Sequence, residues 1–541
     1  MTRSRRWNGW GDPTTQTTLP PTALALLERA VGPAVTPADA SLDMVVMSIP
    51  PSRLEGVTVG CPWTTDPEVR LRHARGQSLP DWIALRSGRV PAAPDAVAFP
   101  GSGGQVRELL DRAGRDGWTL LPFGGGTSVV GGVTVEPSDR PVVSVDLTNL
   151  RGLIRSPDSE SGLVTLGAGT MGPDVEAELV RHGLTLGHFP QSFEWSTLGG
   201  WVATRSAGQE SLGAGRIERL FAGGRIETPA GPLVMPPFPA SAAGPDLREL
   251  VLGSEGRVGI ITEVTVRAVP PVARSIVRGY SLPDQERALE LGRTLARAGL
   301  PLRFVRISTS AETTTTLAQV RDDRRRALLV RYLRWRRHGT DACFVLVGIG
   351  GPESIVRATE GEVARLVSRQ GGIGVPGLGA AWRRERFRAA YLRNALWDAG
   401  YATDTLETAA PWSDVPELVD ELDGALRDGL AADGERVLAF SHLSHLYPSG
   451  SGIYTTYLYR IAADPDLSLE RWRRLKMAAS EAIVRHGATI SHQHGVGRDH
   501  APFLAHEKGT LGMEALTALI DRFDPDGVMA RGILLTDMGD R

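Results

Sequence analysis

The sequence predicts an α+β protein with more than one domain, and three observations support this fold class. The chain has 541 residues, more than a single hydrophobic core usually accommodates. Residues 122–128 form a glycine-rich turn directly after a short apolar run. In the second half, pairs of predicted strands alternate with longer helices, which is typical of one antiparallel sheet with helices on one face.

The composition is that of a soluble globular protein. Apolar residues make up 41% and charged residues 23%, and a net charge of −2 provides no global attraction to nucleic acid, so no such partner is expected. Two distant cysteines, Cys61 and Cys343, cannot build a disulfide framework and fit a reducing compartment. No apolar run is long enough to span a membrane, and residues 1–18 lack a secretory core. These features predict a cytoplasmic protein, and the strong bias to Arg over Lys indicates a GC-rich bacterial genome.

Changes in pattern divide the chain into four predicted parts. Trp7 and Trp10 indicate that the N-terminal part packs against the rest of the protein, because tryptophans seldom lie on a free tail. The predicted parts are an accessory segment at 1–89, a first domain at 90–271, a second domain at 272–490 and a C-terminal segment at 491–541.

Periodicity predicts the helices and strands. Residues 104–113 place apolar side chains at i, i+3, i+4 and i+7, whereas residues 257–269 alternate as a half-buried strand does. Residues 188–208 are predicted to be irregular. Further helices are predicted at 22–30, 174–181, 284–298, 353–368, 416–430, 469–486 and 513–522. Further strands are predicted at 118–121, 141–147, 162–166, 302–307, 343–349, 436–440 and 453–460.

The glycine-rich turn is a candidate binding site for a pyrophosphate. Three consecutive glycines, Gly124 to Gly126, can turn tightly and let backbone N–H groups approach an anion, and Thr127 and Ser128 add hydroxyl donors. The segment is neither a Walker A loop nor a GxGxxG fingerprint. By itself it is equally consistent with an ordinary turn.

Several other segments strengthen the binding interpretation through a resemblance. Residues 122–128, 192–200 and 253–262 resemble the FAD-binding domain of the vanillyl-alcohol-oxidase type, also called PCMH-type. More specific segments resemble the alkylglycerone-phosphate synthase (alkyldihydroxyacetonephosphate synthase) family, and with them the resemblance covers nearly the whole chain. These segments are residues 7–11, 199–205, 408–412, 452–454 and 491–497.

The resemblance implies both a fold and a function. The expected fold is a PCMH-type FAD-binding domain plus a cap domain with an antiparallel sheet. The implied enzyme exchanges the acyl chain of acyl-dihydroxyacetone phosphate for a fatty alcohol, which is a step of ether-lipid synthesis with no net redox change. FAD is expected to bind non-covalently, because residues 122–128 contain no His or Cys. The alternative is an FAD-dependent oxidoreductase of a small hydroxy acid or alcohol, although the metal-binding segment of 2-hydroxy-acid dehydrogenases is absent.

The resemblance also implies the residues that contact FAD. The pyrophosphate would be held by Pro122, Phe123, Gly124, Gly125, Gly126, Thr127 and Ser128. The rest of the cofactor would be lined by Gln191, Ser192, Ser196, Thr197, Thr204, Ser206, Glu255, Gly256, Gly259 and Ile261.

Five residues match the family's catalytic positions. Tyr454 matches the acid/base tyrosine, His492 and His494 match the outer members of a three-histidine run, and Arg306 and Arg393 match active-site arginines. Since Arg suits bidentate phosphate contacts, the two arginines could clamp a phosphate.

Other interpretations of these residues stay open at this stage. Tyr454 could be an ordinary strand residue and Arg393 a solvated one, and the histidines lack a third ligand, so no metal is predicted. Gln493 occupies the middle of the histidine run and cannot titrate, which puts a proton relay through it in doubt. His442 and His445 lie three apart near a predicted strand end, which favours core or surface positions.

A basic stretch at residues 321–339 predicts a peripheral contact with a membrane surface. It contains eight arginines against two aspartates, with Leu328, Tyr332 and Trp335 interleaved. Such a mixture suits an interfacial helix on anionic lipid, and a solvated helix is the alternative. The expected partners are therefore lipids, and a homodimer stays open because the sequence does not fix the oligomeric state.

Overall fold

Strands in residues 5–536, which the computed structural model describes, form sheets of four, seven and five strands. No helix in this part of the chain is long and apolar enough to cross a membrane. Helices and antiparallel strands are mixed throughout, so the predicted α+β class is confirmed.

The N-terminal segment packs against both the first and the second domain. Trp10 is buried, its backbone N–H donates to Asn394 Oδ1 at 3.1 Å, and Trp82 lies in the same core. The predicted packing of the tryptophan-containing tail is therefore confirmed. Its elements are α1 (Pro21–Ala30), α2 (Leu42–Ser48), β1 (Trp63–Thr64), α3 (Pro67–Arg72) and α4 (Leu79–Ser87).

Two sheets build the first domain. Strands β2, β4 and β3 are parallel, β1 extends them, and the antiparallel second sheet has the order β5-β6-β9-β7-β8. The strands are β2 (Ala96–Ala98), β3 (Thr119–Phe123), β4 (Val142–Asp146), β5 (Leu153–Arg155), β6 (Leu163–Gly167), β7 (Phe221–Thr228), β8 (Gly231–Met235) and β9 (Ile260–Arg267). The helices are α5 (Gly103–Asp116), α6 (Gly172–Val180), α7 (Leu198–Ala203), α8 (Ser211–Ala214), α9 (Ile217–Leu220) and α10 (Arg248–Val251).

Helix α5 follows the predicted pattern, and α7 corrects a prediction. The predicted apolar stripe of α5 is buried, Ser102 caps its N-terminus, and Gly117 ends it at a φ of +70°. The stretch 188–208, predicted to be irregular, contains α7. Thr197 caps this helix by accepting a hydrogen bond from Gly200 N at 3.3 Å, and the glycines at 199 and 200 concealed its helical pattern.

The second domain is a seven-stranded antiparallel sheet with the order β13-β10-β12-β11-β15-β16-β14. Its strands are β10 (Arg274–Leu282), β11 (Leu302–Ser308), β12 (Cys343–Gly351), β13 (Ile373–Gly374), β14 (Tyr401–Pro411), β15 (Leu438–Leu446) and β16 (Gly450–Arg460). Its helices are α11 (Gln285–Arg297), α12 (Ser310–Ala318), α13 (Asp323–Trp335), α14 (Glu353–Arg369), α15 (Leu378–Glu385), α16 (Leu392–Asp398), α17 (Val415–Asp428) and α18 (Pro465–Arg485). Strand β14 escaped prediction because it is buried on both faces, which removes the alternation of a half-exposed strand.

Strand register decides which side chains share a face of this sheet. Tyr454 of β16 lies opposite Glu407 of β14 and opposite His442 of β15, so these three side chains share one face. Asp404 and Tyr457 point to the other face, where Trp472 of α18 donates to Asp404 Oδ2 at 2.7 Å. The helices α17 and α18 cover that second face and leave the Tyr454 face for a site.

The C-terminal segment returns to the first domain. After α19 (Leu504–Phe523), the chain runs beside β3, where Leu120 N donates to Val528 O at 2.7 Å and Ala530 N donates to Leu120 O at 2.9 Å. Val528 and Met529 join the hydrophobic core around α5. The end of the chain thus covers the open edge of the strand that carries the glycine-rich turn.

Candidate active site and cofactor cradle

The glycine-rich turn is shaped by close backbone packing. A Cβ at Gly124 would collide with Thr197 Oγ1, and one at Gly125 would collide with the carbonyl oxygen of Trp195. Gly126 has a φ of +63°, and a Cβ there would collide with the guanidinium of Arg5. The turn therefore needs all three glycines, and it joins the predicted 122–128 segment to the predicted 191–197 segment.

The predicted cofactor residues between 191 and 206 form a connected polar segment. Ser196 Oγ accepts from Trp201 Nε1 at 2.7 Å and donates to Ser192 O at 3.0 Å, and Thr204 Oγ1 donates to Gly200 O at 3.0 Å. Ser206 Oγ lies 2.8 Å from His188 Nε2. These bonds fix the backbone that packs on the turn.

Gln191 lies at the boundary with the second domain, where its Nε2 donates to Arg386 O at 3.0 Å. It therefore ties the predicted cofactor segment to the sheet domain that carries the predicted catalytic residues.

Glu255 connects the cofactor segment to the histidine loop. Its carboxylate accepts from Val496 N at 2.6 Å and Gly497 N at 2.7 Å, and burial raises its pKa to about 7. Gly256 has a φ of +79° and abuts Pro122, and Gly259 sits against the backbone of Glu227. Ile261 is buried within β9.

The residues of the turn fit a pyrophosphate. The backbone N–H groups of Gly124, Gly125 and Gly126 donate to no acceptor among the described residues, which suits an anion, and Thr127 adds a hydroxyl. Ser128 Oγ accepts from Gly132 N at 2.9 Å and stabilises the turn itself. A cation, Arg5, also lies against the turn.

Tyr454 lies between two histidines on the free face of the seven-stranded sheet. The ring of His442 stacks on it with centroids 4.8 Å apart, and His494 approaches edge-on at 5.7 Å. Burial and the nearby Glu407 carboxyl raise the pKa of Tyr454. Phenolate formation would need strong cationic neighbours, whereas the structure holds this tyrosine as a neutral phenol.

The histidines around Tyr454 do not supply that positive charge. Burial lowers the pKa of His494 to about 4, with a further decrease from Lys476, and burial likewise lowers the pKa of His442. Arg306, which donates to Glu312 Oε1 at 2.7 Å, shares its charge with that buried carboxylate. Burial therefore outweighs these partly compensated cations, and the pKa of Tyr454 stays raised.

Glu407 is an acidic residue at this site that the sequence did not reveal. It is only 4% exposed, and its Oε1 accepts from Gln493 Nε2 at 2.7 Å. Its Oε2 has no hydrogen-bond partner among the described residues and lies 3.7 Å from His494 Nε2. Burial raises the pKa of Glu407 to about 8 against small opposing effects from Arg216 and Gln493. Near neutral pH the group is therefore a carboxylic acid.

Arg393 is held in place while keeping one free donor. Its guanidinium stacks on Trp82 with Cζ 4.4 Å from the ring centroid and donates through Nη1 to Gln77 O. Nη2 is buried and has no partner in the described part of the chain. Burial lowers the pKa of Arg393, while Asp404 and Tyr454 act in the opposite direction. A solvated helix position is thereby excluded.

His492 belongs to a second polar cluster. Its Nε2 lies 2.7 Å from Arg216 Nη1 and 2.8 Å from the hydroxyl of Tyr447, and its ring is 5.0 Å from that of His445. Since an arginine can only donate, Nε2 is the acceptor and the proton of the ring is on Nδ1. Burial holds the pKa of His492 well below its usual value.

His442 and His445 both lie at the site, which corrects the expectation of core or surface positions. The irregularity in β15 between Ser444 and Leu446 gives His445 a φ of +55° and turns it toward His492. A regular strand would have separated the two histidines. A bulge of this kind has no sequence signal, and Arg216 and Tyr447 had none either.

The described residues contain no group of three or more His, Cys, Asp or Glu side chains arranged to hold a metal ion.

Two family models match the chain. One, described as FAD binding domain, covers residues 94–235, and the other, described as FAD linked oxidases, C-terminal domain, covers residues 273–534. Together with the glycine-rich turn, these matches define the chain as an FAD-containing flavoprotein of the FAD-linked oxidase class, with a fold of the vanillyl-alcohol-oxidase type.

Comparison with named proteins indicates a more specific group within this class of flavoproteins. Alkyldihydroxyacetonephosphate synthase from Trypanosoma brucei brucei is 28% identical over 485 residues, 87% of this chain and 78% of the relative. The enzyme of that name from Dictyostelium discoideum is 28% identical over 473 residues, 86% of this chain and 77% of the relative. A solved structure of an alkyldihydroxyacetonephosphate synthase superposes with a TM-score of 0.81 at 24% identity, covering 97% of this chain and 98% of the other. The chain is therefore similar to alkyldihydroxyacetonephosphate synthases over most of its length.

Proposed function

We propose that this protein is an FAD-dependent transferase that exchanges the acyl chain of acyl-dihydroxyacetone phosphate for a fatty alcohol. The observation that carries the proposal is the position of Tyr454 between His442 and His494, on the only face of the sheet left free by α17 and α18. The similarity to named synthases over most of the chain gives the substrate class.

Tyr454 is assigned the proton exchange with the substrate carbon. Because its pKa is raised, it rests as a phenol and acts first as a hydrogen-bond donor and acid. A base must then be neutral His494, whose low pKa leaves its ring nitrogen free. Glu407, protonated near neutral pH, orients these two groups through its contacts with Gln493 and His494.

Arg393 is assigned to the substrate phosphate. Its free Nη2 donor and its stacked, fixed guanidinium suit a charge-assisted contact with an anion. Arg306 contributes less to that contact because Glu312 already accepts from it, and we assign it to holding His442 against Tyr454. His492, fixed by Arg216 and Tyr447, is assigned to the leaving carboxylate.

FAD supplies a ring that can accept and return an electron pair, which suits an exchange with no net redox change. Different residues are therefore assigned to the reacting proton and to the substrate phosphate. None of these side chains has to move from one task to the other during turnover.

The test is incubation of the purified holoenzyme with acyl-dihydroxyacetone phosphate and labelled hexadecanol. We expect a labelled ether product and one released fatty acid per turnover. The alternative, oxidation of a small hydroxy acid or alcohol, predicts lasting anaerobic bleaching of the flavin by such a reductant. Bleaching without ether formation would reject the transferase.

FAD should be held without a covalent bond. No His or Cys occurs in residues 122–128, and the buried Cys343 lies in the seven-stranded sheet of the second domain. Acid precipitation should leave the yellow colour in the supernatant, and colour in the washed pellet would contradict this.

The helix α13 is the proposed contact with a lipid surface. Leu333 anchors it to the protein, whereas Leu328 and Trp335 are 65% and 76% exposed among exposed arginines. Sedimentation with anionic vesicles should fall when Arg331→Glu and Arg334→Glu are combined. The matched control, Arg357→Glu with Arg369→Glu on the exposed face of α14, should pellet like the wild type. Equal pelleting of both double variants would remove α13 from the proposal.

Cytoplasmic location and a homodimer stay predictions of the sequence. Size-exclusion chromatography with light scattering would decide the second.

A further inference from the structure

The N-terminal segment places a cation at the glycine-rich turn. Arg5 Nη1 donates to Gly125 O at 2.5 Å, and its Cζ lies 5.5 Å from the ring centroid of Phe123. Arg5 Nη2 donates to Arg72 O at 2.9 Å, and Arg72 Nη1 donates back to Arg5 O at 3.0 Å. The guanidinium is thus fixed on two sides and touches the turn that fits a pyrophosphate.

The segment after Arg5 is anchored by its backbone to distant elements. Arg86 Nε donates to Asn8 O at 2.8 Å, Gln77 Nε2 donates to Gly9 O at 3.3 Å, and Asn394 Nδ2 donates to Trp10 O at 3.0 Å. Because the anchors begin three residues after it, Arg5 has little freedom to leave the turn.

Within residues 5–536, no acidic side chain forms an ion pair with Arg5. The nearest acidic influence is Asp146, which is already bonded to His73 Nε2 at 2.9 Å, and the neighbouring Arg72 is paired with Glu68. Burial lowers the pKa of Arg5 to about 10, so the group remains a cation. A partly buried cation without a counter-ion, at a turn of free backbone N–H groups, is an anion site.

We propose that Arg5 binds the pyrophosphate of FAD, so that the N-terminal segment completes the cofactor site from outside the FAD-binding domain. The phosphate charges would supply the counter-ion that Arg5 lacks among the described residues. The inference concerns cofactor binding alone and does not depend on which substrate the enzyme uses.

The experiment compares Arg5→Gln with Arg6→Gln in the full-length apoprotein. Arg6 is a suitable control because its Nη2 donates to Pro13 O and Thr15 O rather than to the glycine-rich turn. Titration with FAD and with riboflavin, followed by flavin fluorescence, separates the phosphate contact from the ring contact. We expect Arg5→Gln to weaken FAD by about tenfold or more and to leave riboflavin unchanged. Arg6→Gln should leave both affinities unchanged.

Salt provides a second measurement. The FAD affinity of the wild type should fall with ionic strength more steeply than that of Arg5→Gln, because the variant has lost the screened charge. Equal FAD affinity of the two variants, or an equal loss of FAD and riboflavin by Arg5→Gln, would overturn the proposal. If Arg5→Gln does not fold, the affinities of Arg5→Lys for FAD and for riboflavin are measured instead. A loss of affinity confined to FAD supports the contact, and an equal loss of affinity for both ligands rejects it.

Discussion

Two glycine-containing loops meet at this active site, and they differ in how their chemistry is built. The turn at 122–128 acts through its own backbone, and its three glycines are explained by neighbours such as Thr197 and Trp195. The loop at 491–497 acts through side chains whose properties depend on distant residues, namely Glu407, Arg216 and Glu255. A site built from backbone groups can therefore be predicted from one segment of sequence. A site built from side chains is defined only by the folded structure.

The largest expected effect tests the side-chain site at its centre. Tyr454→Phe removes one oxygen and little volume, so folding and flavin binding should survive. Loss of a positioned acid/base should reduce exchange of the substrate hydrogen with solvent by about a hundred- to ten-thousandfold. The flavin spectrum and FAD stoichiometry serve as controls. Wild-type exchange in a variant with full FAD would make Tyr454 a packing residue.

The second prediction tests whether the protonation state of Glu407 controls the activity of the site. Ionised Glu407 would raise the pKa of Tyr454 further, so wild-type kcat/KM should fall as the pH rises through about 8. Glu407→Gln stays neutral and should lose this basic limb of the profile. If Glu407→Gln keeps the basic limb unchanged, a group other than Glu407 causes that limb.

The same variant has a consequence for stability. The folded pKa of Glu407, about 8, exceeds the ordinary 4.5 of an unfolded chain, so the folded state binds more protons between these values. The free energy of unfolding should therefore decrease as the pH rises across this window, and less steeply in Glu407→Gln. Urea titrations at pH 5 and pH 8 provide the measurement.

The third effect concerns Arg393. Arg393→Lys keeps the charge but loses the stacked, planar fork, so KM for the phosphate-bearing substrate should rise about tenfold with kcat nearly unchanged. Arg388→Lys, on an exposed arginine five residues earlier, is the matched control. A fall in kcat without a change in KM would move Arg393 away from the phosphate.

The smallest effect is expected at Gln493. A histidine there could still donate to Glu407 Oε1, so Gln493→His should change kcat/KM by less than about threefold near neutral pH. Gln493→Leu removes the donor, leaves the buried carboxyl without a partner and should cost more. If the two variants behave alike, the hydrogen bond between Gln493 and Glu407 is not part of the active machinery.

How much could be predicted from the sequence also differs between local patterns and features that depend on the assembled fold. The strand before the turn, the buried stripe of α5 and the position of β9 were predictable from local spacing, although β9 is buried on both faces rather than half-buried. The matched residues Tyr454, His494 and Arg393 came from the resemblance, and the structure places Tyr454 and His494 in contact. Their protonation was not predictable, because it depends on burial and on Glu407 across a strand register. The turn of His445 toward His492 likewise depends on an irregularity in β15.

The return of the C-terminal segment to β3 has a consequence for synthesis of the protein. Strand β3 lies at the edge of its sheet, and its partner residues Val528 to Ala530 emerge roughly 400 residues later. At about 5–20 residues per second, that edge stays uncovered on the ribosome for roughly 20–80 seconds. The nascent chain must be protected from pairing with other chains during this interval.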